Sequence, residues 1–114
     1  MAFTYSAATT GTKALDRVRF LVGDTLANGH RLDDDEIGAL LAGEGLTNTT
    51  SPAGANERYV LRAAAGACRA IASMLSKNAE IAITGAGPVK AAAADEYSRR
   101  ADDLEARAMP WIMT

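Results

Sequence analysis

The chain has 114 residues, a formal net charge of −2 and one cysteine, and 48% of its residues are hydrophobic while only 5% are aromatic. This length suits a single domain, and one cysteine excludes an internal disulfide. The slightly acidic balance argues against nucleic-acid binding by broad phosphate neutralisation, although DNA passing through a pore without being gripped stays compatible with it. The first residues show neither the basic nor the apolar region of a secretory leader, and no apolar run approaches the ~20 residues that span a bilayer, so we expect a soluble, cytoplasmic protein without a membrane partner.

Residues 1–11 are predicted to form an extended N-terminal arm. Phe3 and Tyr5 alternate with polar neighbours and Gly11 follows, a pattern more typical of extended chain than of helix. An arm of this kind is either disordered or docked on a neighbour. If it docks, Phe3 and Tyr5 are the residues expected to supply its contacts.

Helix one is predicted over residues 12–22, with Thr12 as its N-cap. Gly23 supplies the left-handed residue that ends a helix, and Asp24 begins a turn through local side-chain hydrogen bonds. Apolar residues at helical spacing define the buried face: Ala14, Leu15, Val18, Leu21 and Val22. The charged residues of the same segment are expected to face solvent: Lys13, Asp16, Arg17 and Arg19.

Helix two has the clearest start signal in the chain. Asp33 fits the N-cap, and Glu36 three residues later completes a capping box. Leu32 before the cap is placed to pack on Ile37 after it. The glycines of residues 43–45 are expected to end this short helix, so tertiary packing must hold it.

The longest predicted helix runs over residues 57–77, after a polar loop at 46–56. The middle of its apolar face is made almost entirely of alanine and glycine, which lets a neighbouring backbone come close but buries little area. Other helices, or other subunits, must therefore complete the core. The large anchors lie at its two ends: Val60, Leu61, Ile71, Met74 and Leu75.

The last third of the chain predicts one more helix between two irregular segments. Residues 80–84 alternate apolar and polar, which indicates a single strand or an extended connector. Helix four is predicted over 88–108, with acids placed four residues before bases on its outer face. Pro110 is expected to end it and to leave 109–114 as a C-terminal tail. The predicted fold is all-α: a small bundle of about four helices over residues 12–108, with one long central helix and extended arms at both ends.

Few residues qualify for catalysis or metal binding, and we predict neither an enzyme nor a cofactor or metal site. His30, the only histidine, is interpreted as an ordinary exposed loop residue, and Cys68 as a buried, inert thiol. The acidic run 33–36 lacks the alternating acids and glycine of a calcium loop, and its capping role explains it. The glycines at 85–87 lack the lysine and the strand of a phosphate loop, so we interpret them as a hinge.

Two features remain as candidate contact sites. Arg58, Arg62 and Arg69 share one side of the long helix, where they line a lumen, pair with acids of a neighbour, or are solvated or paired within the chain. The tail either folds back on its own core or docks in a partner's groove, because tryptophan is a frequent interface anchor. The tail residues are Met109, Pro110, Trp111, Ile112 and Met113.

Two segments carry a distinctive combination of residues: 15–25 (LDRVRFLVGDT) and 32–37 (LDDDEI), the second followed by Leu40 and Leu41. An alanine-rich long helix comes next, and then a final helix with Tyr97 and Leu104. In this combination, over residues 12–108, the chain resembles the head-tail connector proteins, also called adaptor or head completion proteins, of tailed bacteriophages and related gene transfer agents.

The resemblance implies a virion protein that forms a homo-oligomeric ring, a dodecamer, beneath the portal protein. Such a ring extends the DNA channel, lets DNA pass without sequence-specific binding, and receives the tail terminator or stopper protein. The resemblance assigns portal docking to residues 109–113, with Trp111 as the anchor. A small helical DNA-binding or regulatory module is the alternative, and the acidic start of helix two, where base contacts would begin, counts against it.

Overall fold

One long helix is the element on which the other helices of the chain pack. The computed structural model describes the backbone of residues 3–26, 30–81 and 87–112 and the side chains of 3–26, 30–75 and 94–108. Those ranges contain no strand and four α-helices: α1 (Ala14–Val22), α2 (Asp34–Gly43), α3 (Glu57–Ile81) and α4 (Gly87–Ile112). Short 3-10 turns lie at Ala7–Thr9 and Gly54–Asn56. The predicted all-α bundle with one long central helix is confirmed.

Helices α3 and α4 form the most extensive packing pair. Arg69 of α3 lies opposite Asp102 and Glu105 of α4, which is the register of an antiparallel hairpin. The small centre of α3 lets its neighbours approach closely, because buried alanines occupy it. Helices α1 and α2 also pack on α3, and a Cβ added at Gly66 would lie 3.2 Å from Leu40 Cδ2 of α2.

The large residues of α3 enter the core with one exception. Val60, Leu61, Ile71 and Leu75 are buried, whereas Met74 is 42% exposed, so the prediction that Met74 anchors the core is wrong. At 100° per residue, Met74 lies between Ala63 and Ala67, which are both buried, so its angular position does not explain its exposure. The other helices complete the core of the described residues: Ala14, Leu15, Val18 and Val22 of α1, Ile37 and Leu41 of α2, and Ala94, Ala101, Leu104 and Ala108 of α4.

Helix α1 starts later than predicted because another segment caps it. Its N-cap residue is Lys13, which makes no side-chain capping bond, while the Thr12 hydroxyl donates to the Thr9 carbonyl. The backbone N–H of Ala14 donates to the Thr50 carbonyl at 2.8 Å, and that of Leu15 donates to the Asn48 carbonyl at 3.0 Å. The loop at 46–56 therefore satisfies backbone donors that the helix itself leaves unpaired.

The end of α1 and the start of α2 have the capping residues that the sequence predicts. Gly23 is left-handed, with φ of 87°, and its N–H donates to the Arg19 carbonyl. The Asp33 carboxylate accepts the Glu36 N–H at 3.0 Å, and the Glu36 carboxylate accepts the Asp33 N–H at 3.2 Å. The capping box is confirmed.

Both long helices extend beyond their predicted ends. Helix α3 continues through Glu80 to Ile81, so the first two residues of the predicted extended connector are helical, and 82–86 lie outside the described residues. Helix α4 runs through Pro110 to Ile112, so the prediction that Pro110 ends it is wrong. A proline there removes one backbone hydrogen bond and its ring crowds the carbonyl four residues before it, but its fixed φ is close to the helical value.

Candidate functional site

A buried arginine joins α1 to α2. The side chain of Arg19 has no exposed area, so the prediction that it faces solvent is wrong. Its Nη1 donates to Asp24 Oδ2 at 3.0 Å and to the Leu32 carbonyl at 3.0 Å, and its Nη2 donates to Asp34 Oδ1 at 2.8 Å. We call Arg19, Asp24, Leu32 and Asp34 the Arg19 cluster. Through it, one guanidinium holds the end of α1, the turn that follows and the first turn of α2.

Asp24 folds the chain back after α1. Its Oδ1 accepts the N–H of Arg31 at 2.8 Å, and its Oδ2 accepts the N–H of Leu32 at 3.1 Å. The residue predicted to begin a local turn is thus 6% exposed and bonded seven and eight residues away. The left-handed Gly23 makes this possible, because it reverses the chain immediately before Asp24.

The pKa of Asp34 is lowered below the ordinary value of a carboxyl group. Burial acts to raise it, but hydrogen bonds from the Arg19 guanidinium and from Thr4, together with the charge of Arg19, favour the ionised form and outweigh that effect. Asp34 therefore stays a carboxylate and completes the pairing of the buried cation.

The N-terminal arm is docked on its own bundle beside this cluster. The Thr4 N–H donates to Asp34 Oδ1 at 2.9 Å, and the Ser6 N–H donates to Asp16 Oδ1 at 3.2 Å. The Thr9 hydroxyl donates to the other oxygen of Asp16. Asp16 is only 2% exposed, so the prediction that it faces solvent is also wrong.

Aromatic contacts complete the docking of the arm. The Phe3 ring lies 4.3 Å from the guanidinium carbon of Arg19 and 4.9 Å from the His30 ring, while Tyr5 is half-buried. In this structure residues 3–9 contact their own chain, and docking of the arm on a neighbour stays a prediction. That Phe3 and Tyr5 contact other subunits stays a prediction.

The three arginines of α3 each have an intrachain contact. Arg62 Nε lies 3.2 Å from a carboxylate oxygen of Glu44, at the end of α2. Arg69 pairs with Asp102 at 3.3 Å and with Glu105, which lowers the pKa of the Glu105 carboxyl. Arg58 donates to the Tyr59 hydroxyl at 2.6 Å and lies over that ring. Of the predicted alternatives, pairing within the chain is the one visible here, and the lumen and inter-subunit roles stay predictions.

Sequence reasoning missed Arg100, which docks α4 on α1. Its Nη1 donates to the Val22 carbonyl, 78 positions away in sequence, and so satisfies an acceptor at the C-terminal end of α1. Arg100 also pairs with Glu96 at 3.8 Å, one of the predicted acid–base pairs of α4. No sequence signal marks the bond to Val22, because nothing local brings these residues together. Arg19 did carry a signal: it follows Leu15 by four residues and so borders the buried face.

Cys68 and His30 are the two residues that the sequence offered as candidates for chemistry. Cys68 is fully buried in the core, as predicted, and this burial raises the pKa of its thiol to about 11. His30 is half-buried against Phe3 rather than exposed. Among the residues that the structure describes, no three His, Cys, Asp or Glu side chains are grouped for a metal ion.

A surface cavity of about 310 Å³ borders the end of the arm. Thr10 and Gly11 form one wall, Arg17 of α1 another, and the segment from Pro52 to Glu57 closes the remaining side. The cavity therefore separates the link between arm and α1 from the start of α3.

Comparisons with family models, with curated proteins and with solved structures find no match to this chain. Within the described helices, none is long and apolar enough to cross a membrane. Four of the predicted docking residues lie in the last turn of α4: Met109, Pro110, Trp111 and Ile112. Their side chains, and the whole of Met113, lie outside the described residues.

Proposed function

We propose that this chain is the structural subunit of a head-to-tail adaptor of a tailed bacteriophage or gene transfer agent. In this proposal copies of the chain form a ring beneath the portal protein, extend the DNA channel and present the attachment surface for the tail or its stopper. The protein is then part of the virion and has no catalytic role.

The observation that carries the proposal is the Arg19 cluster. The resemblance to this class of proteins rests on residues 15–25 and 32–37, and all members of the cluster belong to those two segments. Residues that are separate in sequence thus belong to a single structural unit, the corner between α1 and α2. Because one cluster of contacts explains the residues of both segments, these segments support the resemblance more strongly than separate helix-capping residues would.

The packing of the bundle supports assembly with other copies. The centre of α3 is built from alanines, which bury little apolar area per residue. Among the residues whose side chains the structure describes, three large apolar ones are exposed, at 55% for Phe20, 72% for Leu26 and 42% for Met74. Packing against a neighbouring subunit would remove such surface from water.

The C-terminal end is the proposed point of attachment to the portal. Residues 109–113 combine a tryptophan with isoleucine and methionine, a composition suited to filling a groove on a partner. Because α4 continues to Ile112, the docking element is proposed to be the last turn of that helix rather than an extended tail.

The test is a measurement of mass by light scattering and native mass spectrometry, with and without the portal protein of the same phage. We expect a ring, and a larger complex when the portal is added. Deleting residues 111–114 should abolish the complex and leave helicity intact, while Trp111→Phe, which keeps an aromatic ring, should retain it. A monomer that ignores the portal would refute the proposal, and a gel shift with duplex DNA would then favour the DNA-binding alternative.

A further inference from the structure

We draw no further inference here: the strongest candidate, the surface cavity of about 310 Å³ between the end of the arm, α1 and the start of α3, is lined by one cation and one anion, Arg17 and Glu57, and nothing in the structure shows what it would bind.

Discussion

Arg19 Nη2 lies 2.8 Å from Asp34 Oδ1, and this ion pair fastens the end of α1 to the first turn of α2. The Arg19 side chain has no exposed area and that of Asp34 is 15% exposed, so water screens the pair weakly. The cation is also bonded to Asp24 and to the Leu32 carbonyl. The corner between the two helices therefore depends on one side chain.

Arg19→Met should destabilise the protein strongly. Methionine fills much of the same volume but leaves the carboxylates of Asp24 and Asp34 without their cation, and breaking a buried pair costs about 3–5 kcal/mol. Urea unfolding followed by circular dichroism measures the loss. Arg17→Met is the matched control on the same helix: Arg17 is half-buried over the exposed Phe20 ring, so its loss should cost under about 1 kcal/mol. Similar losses of unfolding free energy in the two variants would show that the Arg19 cluster does not stabilise the corner between α1 and α2.

Asp34 should make stability depend on acidity. Its pKa is lowered from the ordinary 3.8, since bonds from Arg19 and Thr4 outweigh the opposing effect of burial. A carboxyl group with a lower pKa in the folded than in the unfolded state adds stability above the unfolded value, and this is lost as pH falls through the folded value.

The unfolding free energy of the unaltered chain should therefore exceed that of Asp34→Asn at neutral pH, and the difference should shrink as pH falls below 3.8. Urea titrations at a series of pH values measure both. Asp35→Asn removes a charge from the same helix end at an exposed residue and serves as the control. A difference for Asp34→Asn that stays constant over the acid range would contradict the assignment.

Gly23→Ala should cost about 1–2 kcal/mol, because position 23 has φ of 87° and an L-residue is strained there. The added Cβ would also lie 3.1 Å from Arg100 Nη1, so that side chain must shift. Gly43→Ala is the control: residue 43 is helical, a Cβ there meets nothing within 4 Å, and stability should stay unchanged or rise by up to about 1 kcal/mol. Thermal unfolding of both variants gives the comparison, and equal effects would argue against the left-handed turn.

The Cys68 thiol should resist alkylation in the folded protein. It has no exposed area, and burial raises its pKa to about 11, so little thiolate forms near neutral pH. The rate of reaction with iodoacetamide, followed by mass spectrometry, should rise steeply when the same chain is unfolded in urea. Rapid labelling under native conditions would mean that the α3 core opens readily.

Local rules account for the parts of the fold that depend on neighbours in sequence. The capping box at Asp33 and Glu36 and the left-handed Gly23 were predicted, because the partners in each lie within a few residues of one another. Hydrophobic periodicity likewise predicted most of the buried faces of α1 and α3, with Met74 as the exception. Near the end of a helix the same rules were less reliable: α4 continues through Pro110 to Ile112, although a proline removes a backbone hydrogen bond there.

The candidate site was harder to predict. Arg19 and Asp16 are charged, and residue type alone indicates that such side chains face solvent. Their burial follows from Asp24, Asp34 and the arm, which arrive from elsewhere in the chain and pair with them.

Sequence alone was sufficient for the all-α class, the order of the four helices, the end of α1 and the start of α2. These features depend on short-range hydrogen bonds and on periodic apolar burial, which residues close together in sequence determine. Sequence was insufficient for the Arg19 cluster, for the capping of α1 by Asn48 and Thr50, and for the bond from Arg100 to Val22. Each of these joins groups that only the packing of helices on α3 brings within bonding distance. A buried charge is tolerated where such partners meet it, and that condition depends on the assembled fold.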